Sequence, residues 1–175
     1  MDVDGRISWF SPDPRAILPV EGFHASKNIQ RAYERRQFDI RIDTAFLEVL
    51  RSCGDRPEGT WISEEMIAAY TELHRLGPAH SVEAWRDGKL AGGLYGVVIG
   101  GAFFGESMFY RVRDASKVAL FALVERLRRG GFTLLDVQWI TAHLRRFGAV
   151  EISQEDYRSR LAAAIRLRCR FVDPP

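Results

Sequence analysis

Residues 81–140 leave the chain the fewest ways to fold. Ser81-Val82-Glu83-Ala84-Trp85 alternates in polarity, as a strand with two unlike faces does. Asp87-Gly88 follows, a pair suited to the two left-handed residues of a tight hairpin turn, and residues 90–99 read as the return strand. Asp114 stands where it can cap an apolar helix over residues 115–127, which Gly130 and Gly131 close. Residues 132–140 then read as a buried strand.

The flanks are helical with short extended pieces. Trp9-Phe10-Ser11-Pro12-Asp13-Pro14-Arg15 is a proline-punctuated loop leading into a short strand. A helix starts at Ser26 and runs through Ile29, Ala32 and Tyr33, and residues 38–42 alternate like a strand. Thr44 is placed to cap a short helix ending at Gly54. Ser63 is placed to cap another, with Met66, Ile67, Tyr70 and Leu73 on its inner face and Gly77 as its stop. Ser153 and Asp156 have the spacing of a capping box for a last helix, whose basic end carries Arg166, Arg168 and Arg170. The fold class expected is α+β, a mixed, largely antiparallel sheet flanked by helices, in one domain over residues 1–175.

Polar residues inside apolar runs are the candidates for function. Glu106 lies in Ala102-Phe103-Phe104-Gly105-Glu106-Ser107-Met108-Phe109, where a carboxylate among phenylalanines either points from a loop into water or belongs to a site. Asp136 and Gln138 interrupt Leu134-Leu135-Asp136-Val137-Gln138-Trp139-Ile140; two apart in a strand, they share one face, with Leu135, Val137 and Trp139 on the other. They are either the polar face of an edge strand or the lining of a pocket. Lys117 falls in the first turn of its helix, where a positive charge opposes the helix dipole; it is either solvated or faces an anion. The glycines of Gly92-Gly93-Leu94-Tyr95-Gly96 and Gly100-Gly101 allow close backbone approach but form no nucleotide-binding loop.

Bulk properties remove several classes. No apolar run reaches the ~20 residues that span a bilayer, and residues 1–6 are acidic and polar, unlike a signal peptide, so a cytoplasmic protein with no membrane partner is expected. The four histidines and two cysteines match no ligand spacing, so neither a metal nor a disulfide is expected, and no sequence signature calls for a cofactor. A net charge of +2 makes any polyanion surface a local matter. Lys27, Arg31, Arg35, Arg36 and Arg41 form one basic cluster, and Arg126, Arg128, Arg129, Arg145 and Arg146 another; each is a solvated face or a phosphate footprint.

Short strings in a fixed order carry a resemblance: the opening Trp9 to Arg15 string, Glu58-Gly59-Thr60-Trp61-Ile62, Leu73-His74, Ala79-His80-Ser81-Val82-Glu83-Ala84-Trp85, Gly92-Gly93-Leu94-Tyr95-Gly96, Gly105-Glu106-Ser107-Met108-Phe109, Ala115-Ser116-Lys117, Asp136-Val137-Gln138 and Phe147-Gly148-Ala149. Together they resemble the leucyl/phenylalanyl-tRNA–protein transferase family over nearly the whole chain. The resemblance implies a fold similar to the GCN5-related acetyltransferase (GNAT) fold, used without coenzyme A. It implies a monomeric aminoacyltransferase that moves Leu or Phe, and by extension Met, from aminoacyl-tRNA to proteins with N-terminal Arg or Lys, marking them for degradation. By similarity Glu106, Asp136 and Gln138 match the family's catalytic centre. Phe103, Met108, Leu94 and Leu127 match its side-chain pocket, and Trp61 matches a tryptophan that stacks on the terminal adenosine. Lys117, Arg35 and Arg36 are the basic residues assigned to tRNA.

The resemblance also has gaps. The family carries a segment before Trp9 with a second aromatic surface for the adenosine, and Glu151-Ile152-Ser153-Gln154 stands where the family has Glu-Ile-Pro-Arg. Weak aminoacyl-tRNA binding with retained chemistry is therefore expected. Two competing readings follow: a GNAT-type N-acetyltransferase, for which the pyrophosphate loop is missing, and a remnant that binds tRNA or N-termini without efficient transfer.

Overall fold

The computed structural model describes residues 10–57 and 59–171; Trp9, Glu58 and the polar residues 1–6 lie outside them. Among the described residues the strands are β1 (Arg15–Ile17), β2 (Asp39–Ile42), β3 (Ala79–Arg86), β4 (Lys89–Ile99), β5 (Ala102–Tyr110), β6 (Leu134–Gln138) and β7 (Val150–Ile152). The helices are α1 (Lys27–Glu34), α2 (Phe46–Gly54), α3 (Glu64–Leu76), α4 (Ala115–Arg129), α5 (Ala142–Arg145) and α6 (Gln154–Ala164). The strands form one mixed sheet in the order β2-β3-β4-β5-β6-β1-β7. Neighbours are antiparallel except β5 and β6, which run parallel. The described helices include none long and apolar enough to cross a membrane.

The expected hairpin forms at Asp87 and Gly88, both with positive φ, which matches the twist of the two strands. β3, however, does not alternate in burial: residues 79–84 are all buried, because helices cover both faces of the sheet. α4 and α1 pack on one face, where Leu94, Phe103, Leu123, Leu127 and Leu135 share a core. α2 and α3 cover the opposite face around Val49, Leu50, Cys53 and Tyr95. α6 packs farther along, with Tyr157 and Ala164 against Ile17 and Leu134.

The glycines of β4 let these layers approach. A Cβ at Gly92 would lie 2.8 Å from the Ala115 Cβ at the start of α4. One at Gly96 would collide with the Phe104 carbonyl and the Phe103 ring.

Ser63 caps α3 through its side chain and Gly77 ends it in the left-handed conformation, as the sequence predicts. Ser153 likewise accepts from the Asp156 N–H at 3.2 Å. Thr44 does not cap α2; Ala45 takes that position, and the Thr44 hydroxyl donates instead to buried Glu83. Asp114 precedes α4 with φ 69° and makes no cap bond, since Lys117 holds its carboxylate at 2.6 Å. The other difference is β5. Glu106 is not in a loop but within a nine-residue strand, so the water-facing loop glutamate is excluded.

Candidate active site

The parallel pair β5–β6 is short. Its register runs Ala102 to Leu134, Phe103 to Leu135 and Phe104 to Asp136, and there the ladder stops while β5 continues to Tyr110. Past that point the two strands part. Glu106 stands on one wall of the split and Gln138 on the other, each two residues beyond the last paired position. Carboxyl ends of parallel strands that separate are where open sheets leave room for ligands.

Both walls are irregular. On β5, Tyr95 pairs with Ser107 and Gly96 with Gly105, which leaves Glu106 as an extra residue in a β-bulge. The bulge lets two consecutive residues meet the α2–α3 side. Ser107 accepts from Arg56 Nη2 at 2.9 Å, and Glu106 faces the Tyr70 hydroxyl of α3. Glu106 is half-buried, and its pKa is pushed up to about 7, first by loss of solvent and then by the nearby charge of Asp136. The Tyr70 hydroxyl and the Arg15 charge pull the other way. A carboxyl that is partly accessible yet this desolvated lies in a recess.

On β6 the step from Asp136 to Gln138 spans one step of β1, Ile17 to Ala16, so Val137 is the extra residue. Gln138 itself has φ 58°, a left-handed conformation that costs about 1–2 kcal/mol for a residue with a side chain. Asp136 is fully buried and accepts four bonds. Its Oδ1 takes Arg15 Nε at 3.1 Å and the Gln138 backbone N–H at 2.9 Å. Its Oδ2 takes Arg15 Nη2 at 2.7 Å and the Tyr157 hydroxyl at 2.7 Å. The bond from Gln138 to Asp136 runs from its backbone and not from its amide. Among the described residues the Gln138 amide forms no hydrogen bond and is free to orient another group.

The apolar candidates gather elsewhere. Leu94, Phe103 and Leu127 are buried in the α4-side core, with half-buried Met108 paired to Leu94 across β4 and β5. Asp136, bonded to Tyr157 of α6, lies on the opposite face. The sheet therefore separates the apolar group from the polar one. Trp61 is 38% exposed and meets the Tyr70 ring edge-on at 6.2 Å, one ring away from Glu106. Arg35 and Arg36 are exposed at the end of α1.

The family model described as leucyl/phenylalanyl-tRNA protein transferase matches residues 17–162, a span containing both walls of the split. The chain is 56% identical over 172 residues to the leucyl/phenylalanyl-tRNA–protein transferase of Herpetosiphon aurantiacus, covering 98% of this chain and 90% of that one. It is also 56% identical, over 166 residues, to those of Gloeobacter violaceus (95% and 86% covered) and Paramagnetospirillum magneticum (93% and 79%). The chain belongs to the leucyl/phenylalanyl-tRNA–protein transferase family. Among solved structures, L-PGS from Bacillus licheniformis matches with a TM-score of 0.51 at 12% identity, over 89% of this chain and 66% of that chain; the likeness is of fold alone.

In this aminoacyltransferase family member, sequence reasoning missed the residues that hold the site together. Arg15 and Tyr157 reach Asp136 across 121 and 21 positions, distances over which no local pattern exists. The sequence places Tyr70 on an apolar helix face, and it is both that and the hydroxyl facing Glu106. Beside Tyr70 is Tyr95, fully buried, whose hydroxyl has no hydrogen-bond partner among the described residues. Burial, then the neighbouring Tyr70, Cys53 and Glu106, push its pKa up, so it stays a protonated donor. Cys53 is buried with its thiol pushed up to about 12 by desolvation, which makes it an inert packing residue.

Proposed function

We propose that this protein transfers Leu or Phe, with Met as a further apolar donor, from aminoacyl-tRNA to the α-amine of proteins beginning with Arg or Lys. The observation that carries the reading is the split between β5 and β6, with Glu106 and Gln138 on its walls and an apolar core behind it. An aminoacyl ester is already activated, so the enzyme must chiefly align amine and carbonyl and stabilise developing charge. The donor side chain is assigned to the α4 side of the sheet, entering at half-buried Met108 with Leu94, Phe103 and Leu127 packed beneath it. An apolar pocket of this kind discriminates by fit, at roughly 1–3 kcal/mol per methylene.

Gln138 is too weak a base to take a proton at neutral pH; it orients the incoming amine by hydrogen bonding, from a backbone that Asp136 holds. Glu106, a recessed carboxylate near neutrality, is suited to an acceptor that brings a positive charge, which favours Arg and Lys over neutral residues. Trp61 offers a stacking face to the terminal adenosine, and Arg35 and Arg36 meet phosphates without reading sequence; Lys117 joins them only by leaving the Asp114 carboxylate it pairs with here. The whole chain acts as one transferase domain in the cytoplasm, as a monomer, and its product enters protein degradation.

The acetyltransferase reading is disfavoured by the start of α4. The turn before it, Arg111-Val112-Arg113-Asp114, has no glycine, and the Asp114 carboxylate sits where a pyrophosphate would bind. The deciding experiment supplies labelled Leu-tRNA or Phe-tRNA with peptides that differ only in their first residue. Label should pass to Arg- and Lys-peptides and not to a Glu-peptide. Transfer that ignores the first residue removes the role given to Glu106, and acylation from acetyl-coenzyme A instead removes the whole reading.

A further inference from the structure

We propose that Arg15 and Tyr157 are positioning residues for the transfer step, holding Asp136 as a fully occupied acceptor so that Gln138 is presented in its strained conformation; this rests on the transfer reading above. A carboxylate offers about four lone-pair positions. Asp136 has all of them filled, two by Arg15, one by Tyr157 and one by the Gln138 N–H. No position is left for a substrate proton or amine, so Asp136 works through its neighbours and not on the substrate.

The three partners come from separate elements, β1, α6 and the end of β6. The Arg15 guanidinium also lies over the Tyr157 ring, 4.9 Å from its centre, so each partner of Asp136 braces the other. The braced element is unstable by itself. β6 carries the extra residue Val137 and ends on Gln138 at φ 58°, followed by a tight Trp139 N–H to Val137 carbonyl bond at 2.7 Å. Such a backbone persists only when its surroundings over-determine it. The bidentate fork and the tyrosine keep Asp136 still, and Asp136 keeps the Gln138 N–H still.

A double-mutant cycle separates positioning from mere stability. Tyr157→Phe keeps the ring under Arg15 and removes one hydrogen bond. It should lower kcat about fivefold to tenfold while KM for aminoacyl-tRNA holds. Arg15→Lys keeps the charge and loses the fork, and should lower kcat further. In a Gln138→Ala background the Tyr157→Phe substitution should have no additional effect, because there is no amide left to present. Equal Tyr157→Phe effects in both backgrounds, or a change confined to thermal stability, overturn the proposal. If Gln138→Ala lowers transfer and Tyr157→Phe does not, this inference fails and the transfer reading stands. If the unaltered protein transfers nothing, both fall.

Discussion

Glu83 and Glu106 look alike on paper: each is a glutamate within an apolar strand. Glu83 is fully buried, yet its carboxylate is saturated. It accepts from the Thr44 hydroxyl, the Ala45 N–H at 2.7 Å, the Ser81 hydroxyl at 2.9 Å and the Trp85 indole at 2.9 Å. Beside it Asp43 takes His80 at 2.7 Å and the Ser81 N–H at 2.8 Å, so the network ties the start of α2 to β3. Glu106 is less buried but poorly served, with Tyr70 close and its pKa raised by desolvation. A buried charge with a full set of donors is architecture; a recessed charge with spare acceptor capacity is available to a ligand.

The largest test of that contrast falls on Glu83. Glu83→Ala strands four donors, and the expected loss is roughly 3–5 kcal/mol of stability. A drop in thermal midpoint of roughly 6–20 °C would register it. Turnover per folded molecule should stay within about twofold, so a selective collapse of transfer would place Glu83 in the chemistry. Glu106→Gln is the converse. Transfer to an Arg-peptide should fall roughly tenfold to hundredfold, about 1.4–2.7 kcal/mol, with no loss of thermal stability at neutral pH. A stability loss as large as that of Glu83→Ala would erase the distinction.

Acidity sharpens it further. Because the folded pKa of Glu106 is raised to about 7 from 4.5, the native state binds its proton more tightly than the unfolded chain does. The stability contribution of this group therefore falls as pH rises from 4.5 to 7, opposite to a paired carboxylate. Glu106→Gln should gain stability relative to the parent over that window, read from denaturant midpoints at pH 5 and pH 8. The same ionisation should appear as a rise in kcat/KM for an Arg-peptide with a midpoint near 7, flattened in the variant. A variant that keeps that inflection assigns it to another group. The smallest effect belongs to Tyr95→Phe. Removing a buried hydroxyl that has no partner among the described residues should leave stability within about 1 kcal/mol of the parent, or improve it. A larger loss would mean the hydroxyl has a bound partner in solution.

The sequence alone determined the hairpin, the buried helix and the helix stops at Gly77 and Gly130-Gly131, and it set Glu106, Asp136 and Gln138 apart as polar residues within apolar runs. These rest on local rules: turn residues that need positive φ, apolar periodicity, and the cost of polar groups in apolar runs. It could not separate Glu106 from Glu83, because what differs is the number of donors that arrive from Thr44, Ala45 and Tyr70 on other elements. Nor could it foresee the bulges. Strict alternation puts Asp136 and Gln138 on one regular face, whereas pairing with β1 adds a residue and turns Gln138 left-handed. Likewise, a strand read as half-exposed became buried on both faces once α2 and α3 settled opposite α4. Arg15 and Tyr157 acquire meaning only where β1 and α6 meet β6, since a hydrogen bond depends on distance in space and leaves no mark at a separation of 121 residues.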